Sequence, residues 1–169
     1  MITVPVIIGN LCTLLAMGAN AASATRKTAK SMLRAQNVCQ MSYCASAIFL
    51  GGYSAAVQNL VSIFRNVAAI RNVKSKLLEW TLVVLGVVLG VVFNNRGALG
   101  LLPVIGNLQY TLAIFRIKEN DRAIKISFLL SVVAFCVFNI SIYNLVGAAA
   151  DLTVIVATVI TLINDRKIK

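Results

Sequence analysis

The chain has no histidine, only five acidic residues, two prolines and one tryptophan in 169 residues. Without histidine, Ser-His-Asp hydrolysis, His-ligated zinc and imidazole acid-base catalysis are excluded. So few carboxylates assemble no catalytic acid pair, and no glycine-rich phosphate loop is present, so neither an enzyme nor a bound cofactor is expected. Charge is scarce altogether: 12% of residues carry it, whereas a soluble domain keeps about a quarter of its residues charged.

What is present is apolar, with 59% hydrophobic residues and a mean hydropathy of +0.87. That composition describes an all-α membrane protein whose main partner is the lipid bilayer. Cys12, Cys39, Cys44 and Cys136 lie inside apolar segments with no C-x-x-C pair and read as packing residues. No Lys or Arg precedes the first apolar run, which leads into a basic loop, so it reads as a retained helix rather than a cleaved signal.

Because about 20 apolar residues cross a bilayer as a helix, seven spans can be placed, at 2–20, 32–50, 53–70, 77–94, 99–115, 123–142 and 145–163. Gly51-Gly52 and Tyr143-Asn144 each leave room only for a tight helical hairpin. Seven crossings put every basic residue except Arg96 on one face, in groups around Arg26, Arg71, Arg122 and Arg166. Lys and Arg in short loops stay cytoplasmic, so the N-terminus is expected outside and the C-terminus inside. The net charge of +11 is then a feature of topology, and no nucleic-acid partner is expected.

Ile8-Gly9-Asn10-Leu11 returns as Ile105-Gly106-Asn107-Leu108, and Leu50-Gly51-Gly52 aligns with Leu145-Val146-Gly147. These matches divide the single membrane domain into a three-helix unit at 1–72, a linker helix at 73–97 and a second unit at 98–169. Two parallel repeats around an axis along the membrane normal form a transporter architecture with its site near the midplane.

The three-plus-one-plus-three layout resembles the SWEET sugar transporters and PnuC vitamin transporters of the MtN3/PQ-loop group. Over nearly its whole length the chain more specifically resembles the YgjV family of bacterial inner-membrane proteins. That resemblance is carried by Leu50-Gly51-Gly52-Tyr53 followed by Arg65 and Arg71, then Leu101-Leu102-Pro103-Val104-Ile105-Gly106, and Arg122 at the start of the sixth span. It implies an inner-membrane location and a SWEET-like fold, without a substrate. The SWEET pattern of a glycine followed by an asparagine is matched by Gly52 and Asn59, but the second unit offers Val154 there, and the tryptophan typical of SWEET binding pockets is missing.

Polar groups at membrane depth need a partner or a wet cavity. Asn10 and Asn107 are the repeat-related pair, able either to bind a small polar solute or to join helices. Gln58 and Asn59 can line the same space, with Asn139 a further candidate. Asp151 is the one carboxylate well inside a span, able to take a proton or a cationic solute group, or else to pair with Arg96. Arg65 can snorkel to the headgroups or, turned inward, charge the cytoplasmic mouth. Pro5 and Pro103 can bend their helices, as gates or as plain structural bends. Gly86-x-x-x-Gly90 offers a close-contact surface for the bundle or for a second protomer of a homo-oligomer. Two functions follow: a transporter or facilitator of a small polar solute, if Asn10, Asn59, Asn107 and Asp151 share one water-accessible space, or a membrane scaffold, if each is paired off.

Overall fold

The computed structural model describes residues 3–24, 29–71, 73, 75–117 and 121–167. These form seven α-helices: α1 (Val4–Ala24), α2 (Ala29–Phe49), α3 (Tyr53–Ile70), α4 (Lys76–Val92), α5 (Leu102–Arg116), α6 (Asp121–Ser141) and α7 (Leu145–Lys167). A 3-10 turn, Gly97–Leu101, leads into α5. The predicted spans agree with these helices to within a few residues at most ends. Gly97–Arg116 and Arg122–Ser141 are long and apolar enough to cross a membrane, and Val4–Ala19 and Leu145–Ile160 are shorter apolar helices.

The helices pack in the order α1, α2, α3, α5, α6, α7 and back to α1, a closed ring, with α4 outside against α3 and α5. Gly86 and Gly90 serve that last contact: a Cβ on Gly90 would lie 2.5 Å from Gln58 Nε2 and 2.6 Å from Val104 Cγ2. The G-x-x-x-G surface is therefore used inside the bundle. One end of the ring carries the α2–α3 and α6–α7 turns (the turn end); the other carries the last turns of α1, α3 and α5 and the first turns of α2, α4 and α6 (the loop end). Basic residues gather at the loop end, where Lys76 opens α4, Arg116 closes α5 and Arg122 lies in the first turn of α6. Arg26, Lys27, Lys74, Lys118 and Lys169 of the predicted charge pattern lie outside the described residues.

The two tight turns are built alike. In the first, Gly51 adopts the left-handed conformation (φ 67°), Gly51 N donates to Ile48 O and Gly52 N to Ala47 O. This pair of bonds is the Schellman termination of a helix. In the second, Tyr143 (φ 60°) donates to Ile140 O and Asn144 N to Asn139 O. Across each hairpin a cysteine thiol meets a carbonyl twelve residues on, Cys44 with Ala56 and Cys136 with Ala148. Every one of these partners recurs 92 residues later, as Cys44 does at Cys136. The expected pairing of Leu50-Gly51-Gly52 with Leu145-Val146-Gly147 is thus three residues out: the structural counterpart of Gly51 is Tyr143.

Polarity is distributed inside out. Large hydrophobic side chains such as Leu15, Phe64, Leu77, Val92 and Leu130 stand exposed around the outside, while Gln58, Asn59, Arg65, Asn66, Asn107 and Asn144 are buried. A soluble protein arranges these the other way round, and this arrangement suits a hydrocarbon surround. An apolar cluster of Ala47, Leu50, Ala55, Ala56, Phe138 and Ile142 fills the turn end of the ring.

Candidate functional site

Five of the ring helices enclose a cavity of about 130 Å³, to which α1 contributes nothing. Its walls follow the 92-residue register found at the turns. On α2, Gln36, Cys39, Gln40, Tyr43 and Ala47 line it; on α6 the residues 92 further on, Phe128, Ser131, Val132, Phe135 and Asn139, do the same. On α3, Asn59 and Ser62 line it, opposite their counterparts Asp151 and Val154 on α7. Asn107 and Tyr110 of α5 complete the wall, and Arg65 projects in from α3.

Toward the loop end, Arg65 is 3% exposed and held in place by neutral groups. Its Nη1 donates to Asn107 Oδ1 at 3.0 Å and Thr111 Oγ1 at 3.3 Å, while Nε and Nη2 reach Asn66 Oδ1 at 3.4 Å. The guanidinium carbon stands 4.9 Å from the centre of the Tyr110 ring, a cation–π distance. These bonds use four of the five N–H groups of an arginine. Among the described residues, no carboxylate pairs with it. Asn107 is fully occupied: Oδ1 also accepts from Ser62 Oγ, and Nδ2 donates to Gln58 Oε1 at 2.9 Å. Gln58 Nε2 in turn donates to Gly86 O, so one chain of bonds ties α5 to α3 and α3 to α4.

Toward the turn end, Asp151 Oδ2 accepts from Asn139 Nδ2 at 2.8 Å. Asn139 Oδ1 accepts from Asn144 Nδ2, and Asn144 Oδ1 accepts from Thr13 Oγ1 and from Gly147 N. Asn144 is thus the N-cap of α7. Thr13 is also bonded to Ser46 at 2.7 Å, so the chain runs from α7 through α6 and α1 to α2 and closes the ring. Across the cavity from Asp151, Asn59, 6% exposed, lines the wall with no hydrogen-bond partner among the described residues.

The structure brings Asn59, Asn107, Asn139, Asp151 and Arg65 together on one cavity. Asn10 is elsewhere: its Nδ2 donates to Val6 O and Tyr143 O, and its Oδ1 accepts from Val146 N, so it pins α1 to the start of α7. In the register of the turns, the backbone that Asn10 touches corresponds to residues 51 and 54, about two turns from the Gln58 and Ser62 that Asn107 touches, so the two asparagines are not equivalent. Gln58 lies behind the wall, bonded to Asn107 and α4. Arg65 points inward rather than snorkelling, because Asn66, Asn107 and Thr111 offer it acceptors. Asp151 does not pair with Arg96, whose guanidinium sits on the carbonyls of Leu50 and Gly51 at the end of α2. Pro5 and Pro103 stand in the first turns of α1 and α5, where a missing N–H breaks no helical bond, so neither bends its helix as expected of a gate.

Sequence reasoning passed over the α2 wall. Its signal was legible, since Gln36, Gln40, Tyr43 and Ala47 recur at helical spacing on one face of the least hydrophobic helix. The chain matches no curated protein and no solved structure. A family model does match it, from residue 7 to residue 169: the chain belongs to the Imp-YgjV family of bacterial inner membrane proteins.

Proposed function

We propose that the protein is a transporter or facilitator of a small polar solute, built from two equivalent three-helix units with α4 as linker. The observation that carries this is the cavity itself, lined at seven positions on α2 and α3 by residues whose counterparts 92 positions on also line it. A site on a pseudo-two-fold axis between repeats is where alternating-access transporters bind their solute. The ring order supports the same reading, because the α1–α2, α2–α3 and α3–α5 contacts become α5–α6, α6–α7 and α7–α1 when each helix is replaced by its counterpart. Seven crossings with the cationic loop end in the cytoplasm complete it, N-terminus out and C-terminus in. Asn59, Asp151 and Arg65 would meet the solute, and Asn107 and Asn139 would hold the two charged groups in position.

The test is access. A cysteine at position 59 or 151, in a chain whose native cysteines are replaced by alanine or serine, reacts with membrane-impermeant thiol reagents from at least one face if the cavity is a solute site. A scaffold is the second reading, favoured by the paired-off amides of Asn10, Gln58 and Asn144. It predicts that both positions are closed to the reagents from both faces.

A further inference from the structure

The cavity holds two ionisable side chains of opposite sign, Arg65 toward the loop end and Asp151 toward the turn end. Each is held only by neutral groups among the described residues: Arg65 by Asn107, Thr111 and Asn66, Asp151 by Asn139. A charge kept at membrane depth without a counter-ion is costly, and it is retained where something supplies the missing partner. The two do not supply it to each other. In the 92-residue register Asp151 lies level with Asn59, which is six residues, or about 9 Å of helical rise, from Arg65. An offset of that order along the axis leaves room for a small molecule with one charge at each end. An amine and a carboxylate carried by one carbon, each with one hydrogen bond of about 2.8 Å to its protein partner, span roughly the same length.

Volume narrows the class. About 130 Å³ is close to the ~150 Å³ of a cavity that holds one benzene ring. It admits about six non-hydrogen atoms, or a few more with small adjustments of the walls, which excludes disaccharides, nucleosides and most vitamins. Asn59, unpartnered at the level of Asp151 on the opposite wall, supplies a donor and an acceptor for a hydroxyl or amide of the solute near its ammonium end. We infer that the solute of this site is a small zwitterion of amino-acid size, its carboxylate on Arg65 and its ammonium on Asp151. Such a solute compensates both buried charges at once, whereas a simple anion, amine or sugar leaves at least one bare. Tyr110 stands between Arg65 and Phe128, its ring under the guanidinium and tilted at 50° to the Phe128 ring (centroids 5.4 Å apart), and braces the guanidinium.

This inference rests on the solute-site reading above, and the experiment separates the two. The purified full chain in detergent is melted with each of the twenty amino acids, and with serine's two truncated analogues, 3-hydroxypropionate and ethanolamine, and with glucose. At least one small amino acid is expected to raise the melting temperature, with each one-charge analogue at least tenfold weaker. Arg65→Gln is expected to weaken that amino acid about a hundredfold and Asp151→Asn at least tenfold. Arg65→Lys, which keeps the charge but not the fork, is expected to fall between. Because the analogues act on the unaltered protein, a variant that fails to fold leaves the result intact. Stabilisation by glucose or by a one-charge analogue as strong as by any amino acid overturns the zwitterion and keeps the solute site. No stabilisation by any of these compounds also overturns the zwitterion; thiol labelling of Asn59→Cys then reports separately whether the cavity is open to solutes at all.

Discussion

Asparagines that look alike in the sequence do different work in the fold. Asn10 spends its whole amide on backbone, including the first turn of α7. Asn10→Ala is therefore expected to lower stability by about 1 kcal/mol, read by thermal melting, with reactivity of a cysteine at position 151 unchanged. Asn59 makes no such bond, and Asn59→Ala is expected to leave stability unchanged or raise it, since an unpartnered buried amide is removed, while weakening any ligand that stabilises the parent protein. Thr13 stands at the crossing of α1, α2 and the α7 cap, fully buried and bonded to Gly9, Ser46 and Asn144. Thr13→Val keeps its shape and removes the hydroxyl, leaving Ser46 without this partner and Asn144 Oδ1 with Gly147 N alone. A loss of about 1–3 kcal/mol in the same melting assay is expected.

At the scale of helices and turns, the equivalence of the two hairpins lies in backbone geometry more than in residue type. Gly51 and Tyr143 share a left-handed conformation, natural for glycine and strained for tyrosine. Tyr143→Gly is accordingly expected to stabilise the chain by up to ~1 kcal/mol; a loss of stability there would mean that the ring, 71% exposed, anchors the turn end more strongly than the strain costs. The linker helix depends on a missing side chain. Gly90→Val drives a branched group into Gln58 and Val104, and an expected loss of about 1–3 kcal/mol is measurable by melting, with further strain passed through Gln58 to Asn107 and Arg65. The loop end of α4 is bound separately, through the Arg116–Glu79 ion pair at 3.1 Å and the Arg116 guanidinium over Trp80.

For the whole molecule, the closed ring joins the first and last helices and turns the buried polar side chains toward the inside of the bundle. A shell of exposed Leu, Ile, Val and Phe around buried amides has no advantage in water and a large one in hydrocarbon. The proposed sidedness rests on the basic residues at the loop end. A fluorescent protein fused after Lys169 is expected to fluoresce, and alkaline phosphatase at the same place to be inactive, because the first matures in the cytoplasm and the second outside it; the opposite pair of results would invert the topology.

Membrane residence, seven helices and the two tight turns were all legible from the sequence, because apolar run length, charge clusters and turn residues are local signals. The Gly-x-x-x-Gly of α4 and the polar face of α2 were there too, as periodic patterns. What a helix faces is not local. The repeated Ile-Gly-Asn suggested Asn10 and Asn107 as twins, yet the turns set a register of 92 residues in which Asn59 and Asp151 correspond. Matching glycine to glycine slid the second hairpin by three residues, since its left-handed position is filled by Tyr143. Arg65 near the end of a span reads as a snorkelling residue until α5 presents Asn107 and Thr111 as acceptors inside the ring. The sequence by itself determined which segments leave water and which end collects positive charge; only the packing of six helices in a ring decided which polar side chains meet, because hydrogen bonds between helices depend on rotation and register that no single helix specifies.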